Sequence, residues 1–282
     1  MIDEIDVASI IGEIVLLRAY ANKSILILEG GSDSRFFSPF VDHSECDIVI
    51  SHNKQKSIIV IRTVENRYEG VLAVIDGDLD AKFEGVPTHP SIIVTETTDV
   101  EVMMVQSSAF DRLMGELASV EKINMLKQEG LTAREFLLKS IHRISLLKLL
   151  SRQRQLNLRF KELRYGFVDR RLAYETKDLV EAVLSHSRMP KHASEQILDW
   201  LSPLEEAKID PWEICPGHVL TEFIGRSLQG RLGSHNSNTV SAEQIESRLR
   251  LAFSEEHFRK SLLYGDIRLW EDRNDPYVVL NK

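Results

Sequence analysis

A chain of 282 residues that is 43% hydrophobic and 28% charged has ordinary globular composition, enough for one sizeable core or two modest domains, and is no disordered or fibrous polymer. Its net charge of −8 excludes a protein that coats nucleic acid by bulk electrostatics, because phosphate binding draws on clustered Lys and Arg. Two cysteines, Cys46 and Cys215, are too few for a disulfide framework and suit a reducing compartment. The start, MIDEIDVASI, is acidic where a secretory signal would be basic, and no apolar run approaches the roughly 18 to 20 residues that cross a bilayer. The expectation is a cytoplasmic protein with no membrane partner.

Residues 24–29, SILILE, form an apolar run ending in a carboxylate, followed by GGSD and the helix-compatible SRFFSPF, which predicts strand, tight turn and helix. DIVI at 47–50 leads through SHNKQKS to Ile58, Ile61 and Val64 at helical spacing, a second strand and helix. VLAVID at 71–76 is a third strand, broken by the turn residues Gly77 and Asp78, and SIIVTE at 91–96 is a fourth. Strands alternating with helices predict a parallel sheet covered on both faces.

Past about residue 100 helical periodicity takes over, with Phe110, Leu113, Met114 and Leu117 on one face and Leu137, Ile141, Ile144 and Leu147 on another. Thr132 with Glu135 and Ser241 with Gln244 match the capping box that marks a helix start. The expected architecture is α/β: a parallel sheet flanked by helices in residues 1–105, then a mostly α-helical domain in residues 106–282 for partner and substrate binding.

Chemistry concentrates at two strand ends. Glu29-Gly-Gly-Ser-Asp33 places one carboxylate at the end of the first strand and another where the next helix begins, at the sheet edge where α/β proteins bind ligands. Asp76-Gly-Asp78-Leu-Asp80 offers alternate oxygen ligands at the end of the third strand, the donor type that Mg²⁺ prefers. Singly, Glu29 reads as a turn acid and the DGD run as a solvated loop. In two βα units whose strands are sheet neighbours, they would converge at one rim and suit metal-assisted attack on phosphate.

Lys54 and Lys56, after the second strand, are candidates to meet substrate phosphate, against the commoner role of surface lysines at a helix start. The window 139–171 holds ten basic residues against two acidic, a local charge of +8, and suits a specific partner or a solvated helical face equally. His43-x-x-Cys46 and Cys215-x-x-His218 have workable zinc spacings but lie far apart in sequence, so a zinc site is not favoured. Trp200 and Trp270 are expected to pack, and Trp212 is left open between packing and base stacking.

The run LILEGGSD, ending at Asp33, followed about 45 residues later by VIDGD at 74–78, resembles the TOPRIM domain over about residues 20–105. The resemblance implies a compact parallel α/β domain of the kind that serves topoisomerases, primases and OLD-family nucleases, with Mg²⁺, or Mn²⁺ as the alternative ion, held by these acids. The spacing from Glu29 to Asp33 is similar to the ExxxD form of OLD-type nucleases. TDVEVMM at 98–104 resembles a segment of a TOPRIM family formerly listed as a domain of unknown function, which adds Glu101 as an acid. Val102-Met103-Met104 departs from that family's Asn-Tyr-Leu. Gly217-His218 opening a helix and FRKSLLYGDIRLWEDRNDPY at 258–277 are also similar to that family.

Members of that family include the nuclease effector of the PARIS anti-phage system. The resemblance therefore implies a Mg²⁺-dependent nuclease, cutting RNA such as tRNA or DNA, toxic when released and held in check by an ABC-type ATPase subunit; a homodimer is compatible with it. Its implied catalytic set is Glu29, as general acid or base, with Asp76 and Asp78; the implied metal ligands are Glu29, Asp33, Asp76, Asp78, Asp80 and Glu101. A topoisomerase needs a nucleophilic Tyr on a large gate domain and a bacterial primase a zinc domain, so hydrolysis by water is the expected reaction. The alternative is a non-catalytic TOPRIM-fold regulatory or scaffold subunit that binds a partner ATPase. A phosphotransferase would need a glycine-lysine loop of the Walker type, which the sequence lacks.

Overall fold

The four apolar runs become the four strands of one parallel sheet. The computed structural model describes residues 6–79 and 88–282, so Asp80, one of the expected metal ligands, lies outside the described residues. Strands β1 (Ser24–Leu28), β2 (Cys46–Ile50), β3 (Val71–Ile75) and β4 (Ile92–Val94) lie in the order β2-β1-β3-β4. All three pairings are parallel, with Ile27 opposite Val49 on one side and Ala73 on the other. Every residue of β1 and β3 is buried, as expected of central strands with both faces covered.

Helices α1 (Val7–Tyr20), α2 (Gly31–Phe37) and α3 (Lys54–Val64) complete the βα units. Asp6 caps α1 by accepting from Ser9 N at 2.8 Å, and Asn53 caps α3 by accepting from Lys56 N at 2.9 Å. Ile10 and Ile14 of α1 with Val60, Ile61 and Val64 of α3 share a core with Ile25, Ile27, Val71, Ala73 and Ile75. Those strand positions alternate, so Leu26, Leu28, Leu72 and Val74 face the opposite side and are buried there too. The chain leaves β1 outward to β2, then returns past β1 to β3. The strand order therefore reverses between β1 and β3.

Helices α4 (Val100–Gln106), α5 (Ser108–Leu117), α6 (Val120–Gln128) and α7 (Ala133–Gln153) follow, then α8 (Thr176–His186), α9 (Ala193–Glu206), a short 3₁₀ turn at Pro211–Ile214, α10 (Gly217–Gln229) and α11 (Ala242–Ala252). The capping box at α7 forms as the spacing predicts: Thr132 N donates to Glu135 Oε2 at 2.8 Å and Glu135 N to Thr132 Oγ1 at 3.2 Å. Ser241 Oγ likewise accepts from Gln244 N at 3.3 Å ahead of α11. The predicted stripe Leu137, Ile141, Ile144 and Leu147 is buried. Among the described residues no helix is long and apolar enough to cross a membrane.

The chain divides into two compact units, but not at residue 105. The first comprises Met1–Val100 together with Phe253–Lys282, and the second Glu101–Ala252. Helices α12 (Glu255–Arg259) and α13 (Leu262–Arg273) therefore belong with the sheet, where one helical domain over 106–282 was expected. Phe258 stacks on Phe40 with centroids 4.3 Å apart and meets Phe36 and Phe37 edge-on. Asp42 N donates to Val279 O and Asn281 N to Phe40 O, both at 2.9 Å. Buried Glu271 accepts from Val279 N at 2.6 Å and Leu280 N at 2.7 Å, and its other oxygen accepts from Arg268 Nη1 at 2.7 Å. Helical period identifies a helix without saying which core it joins, which is why the return was not visible in the sequence.

Candidate metal rim at the ends of β1 and β3

Glu29 is the residue after β1 and Asp76 the residue after β3, and these strands are neighbours. The Asp76 backbone N–H donates to Glu29 Oε1 at 3.0 Å, so the two strand ends are joined at the point where strand order reverses, the usual ligand crevice of an open α/β sheet. The DGD loop is fixed from β4: Gly77 N donates to Thr95 Oγ1 at 2.8 Å, that hydroxyl donates to Thr97 O at 2.8 Å, and Asp78 N donates to Thr98 O at 2.8 Å. Asp78 takes a left-handed φ of 46°, which Asp tolerates better than most residues.

Glycine is required beside it for space. A Cβ at Gly77 would stand 2.5 Å from Thr97 O and 2.9 Å from Thr95 O, both backbone atoms that cannot yield without moving the loop. Gly77→Ala is expected to cost about 1–3 kcal/mol by overpacking and to shift Asp78. Urea denaturation checks it; a midpoint equal to wild type would mean that the loop is not held this tightly.

Lys54, at the first position of α3, reaches the same loop. Its Nζ donates to Asp76 O at 2.5 Å and to Asp78 Oδ2 at 3.1 Å, and the side chain is 12% exposed against 58% for Asp78. Lys54, expected to meet substrate phosphate, ties the acidic loop together. Lys56 sits in the same first turn, its amide on the Asn53 cap. Asp33, on α2, accepts from Gly30 N at 2.8 Å and closes that turn.

Burial pushes the Glu29 carboxyl up to about 7, and the charges of Asp78 and Asp33 add to the rise, while the Asp76 N–H and Lys54 oppose it. A carboxyl poised near neutrality beside three other acids is the property a general acid or base needs. The donor set is all hard oxygen on two strand ends and the adjacent helix, which fits Mg²⁺ or Mn²⁺. Glu29, Asp33, Asp76 and Asp78 thus stand around one rim, with Asp78 turned onto Lys54, and no three of them bring ligating atoms within 4.8 Å of one another.

Glu101, implied in the same ligand set by the resemblance, falls at the start of the second unit and stands with His218 and Glu246. Among the described residues these three are the one group of His, Cys, Asp or Glu whose ligating atoms all lie within 4.8 Å of one another. Glu101 is 2% exposed. Glu246 Oε1 accepts from Thr221 Oγ1 at 3.2 Å and meets His218 Nδ1 at 3.3 Å, and its Oε2 lies 3.9 Å from Arg250 Nη1. Burial raises the Glu246 carboxyl, but His218, Thr221 and Arg250 outweigh it and hold the group below its ordinary range. Sequence reasoning missed Glu246, whose one local signal is its i,i+4 spacing to Arg250. It also missed Thr95, a strand-end hydroxyl that only the sheet order brings to Gly77.

Cys46 and Cys215, of the zinc spacing, are both buried, and burial pushes the Cys46 thiol up to about 12. His43 Nε2 is engaged with Ser38, 3.0 Å from its carbonyl and 3.1 Å from its hydroxyl. Trp270 is buried as expected, and Trp200 is half-buried with the Arg154 guanidinium 4.3 Å from its ring centroid. No protein-family model matches the chain, and no curated protein matches it.

Proposed function

We propose that this chain is a Mg²⁺-dependent phosphodiesterase that hydrolyses a nucleic-acid backbone, RNA such as tRNA or DNA, at the rim formed by Glu29, Asp76 and Asp78. The observation that carries this is the convergence of Glu29 and the DGD loop on adjacent parallel strand ends, with Glu29 held near neutrality. Glu29, Asp76 and Asp78, with Asp33 beside them, would hold a divalent ion that polarises a phosphate oxygen and lowers the pKa of water. Near neutral pH Glu29 takes a proton from the attacking water or returns one to the leaving oxygen. Lys54 bridges the Asp76 carbonyl and the Asp78 carboxylate and so steadies the loop. The TOPRIM resemblance supports the same chemistry and extends it to a toxic anti-phage effector under an ABC-type ATPase partner.

The test compares the purified chain with Asp76→Asn and Asp78→Asn on labelled RNA and duplex DNA, with Mg²⁺, Mn²⁺ or EDTA. Disturbing even the residues that orient metal ligands lowers affinity or activity up to about 100-fold, so each substitution is expected to cost at least that much. Mg²⁺ should also raise the thermal midpoint of wild type and not of the Asp76 variant, by linkage. Neither hydrolysis nor a metal-dependent midpoint would sink the proposal. The second reading, a non-catalytic subunit binding a partner ATPase, draws on the Lys54–Asp78 pair, which sets a fixed positive charge against the acids. It predicts a midpoint raised by the partner and indifferent to metal.

A further inference from the structure

Between α7 and α8 the chain makes a long irregular loop in the second unit. Residues 152–171 carry seven basic and two acidic side chains in a protein whose net charge is −8. The backbone is fixed in place: Leu158 N donates to Ser151 Oγ at 3.1 Å, Arg159 N to Ser187 Oγ at 2.8 Å, and Arg171 N and Ala173 N to Asp169 Oδ1 at 2.7 and 2.8 Å. Leu163, Tyr165, Val168 and Leu172 are buried and pin it from below.

The cations point outward. Arg154, Arg159, Lys161, Arg164, Arg170 and Arg171 are exposed, and among the described residues none of the six makes an ion pair. Some helical cations are paired within their helix: Lys177, Arg259 and Lys260 each pair with a Glu one helical turn away. Six like charges on one ordered loop make a local positive potential that a polyanion complements.

We infer that this loop binds the sugar-phosphate backbone of a single-stranded nucleic acid. A duplex reader presents a helix or ribbon to a major groove about 12 Å wide, and this is neither. Unpaired strands are held by tracks of cations with guanidinium and aromatic planes for their splayed bases, and Arg154 already lies over the Trp200 ring. That the bound strand is also the substrate rests on the phosphodiesterase proposal; the binding rests on the loop's charge alone.

Fluorescence anisotropy on the full chain in EDTA, over a salt series, tests it with labelled single-stranded RNA, single-stranded DNA and duplex DNA. The variant carries Arg159→Gln, Lys161→Gln, Arg164→Gln, Arg170→Gln and Arg171→Gln; the control carries Lys127→Gln, Lys191→Gln and Lys208→Gln, exposed lysines of the same unit. The expected result is at least about 10-fold weaker strand binding by the variant, a salt slope smaller by about 0.7 for each phosphate left unneutralised, and an unchanged control. Circular dichroism confirms that the variant folds. Equal binding by variant and wild type, an equal loss in the control, tighter binding of duplex DNA, or displacement of the strand by polyglutamate at equal charge would each overturn the inference. Strand cleavage with unaltered binding by the variant removes the loop and leaves the phosphodiesterase standing; binding without metal-dependent cleavage does the reverse.

Discussion

Glu29→Gln is expected to lower metal-dependent hydrolysis by about 10²–10⁴-fold, the range for losing a positioned general acid or base. Glutamine keeps the length and an amide oxygen to accept from Asp76 N, so the strand ends stay joined. The same substitution should change how stability depends on pH. The folded chain keeps Glu29 protonated up to about 7, against 4.5 for the ordinary carboxyl. Stability from this group is therefore complete below the unfolded value and is lost as pH rises through the folded one, a total on the order of 3 kcal/mol. Urea denaturation at a series of pH values should show wild type weakening across that window relative to Glu29→Gln. Parallel curves for the two proteins would mean that Glu29 is not held protonated. Because a divalent ion binds the ionised form, its stabilising effect on wild type should grow over the same window.

Phe258→Ala is expected to destabilise the sheet unit by about 3–5 kcal/mol, the cost of emptying a well-packed phenylalanine site. Phe258 is 1% exposed and is surrounded by Phe36, Phe37, Phe40 and Tyr264. A fragment ending at residue 105, where the periodicity changes, should lack a cooperative unfolding transition for the same reason. That fragment is without the α12–α13 segment, its aromatic cluster and the backbone pairing of Val279 and Asn281 with residues 40–42. A sharp transition from the fragment would show that the sheet and its first three helices are enough.

The strands and their order of alternation with helices were legible because each is a short apolar run closed by a polar residue, Glu29, Ser51, Asp76 or Thr95, and a buried parallel strand has no other pattern. The capping boxes were legible because capping is local. Glu29 and the DGD loop stood out as carboxylates at strand ends; their meeting required the pairing of β1 with β3, which the sequence leaves as a condition. Lys54 was noticed for its charge, and its tie to the acidic loop was not visible, since only the fold brings the start of α3 to the end of β3. Glu101 stood out through the resemblance of its segment, and its neighbours His218 and Glu246 are more than 100 residues further along the chain. Proximity across such separations leaves no trace in periodicity or spacing.

The sheet unit is assembled from two stretches of chain with the whole of Glu101–Ala252 between them. During synthesis the helical unit therefore emerges complete while the sheet still lacks Phe258, Glu271 and Leu280. Domains fold as they emerge, so the later-starting unit can finish first, before the last stretch of the sheet unit is made. A nascent chain thus carries the Glu29 and Asp76 carboxylates through the synthesis of Glu101–Ala252 before the stretch that completes their unit appears.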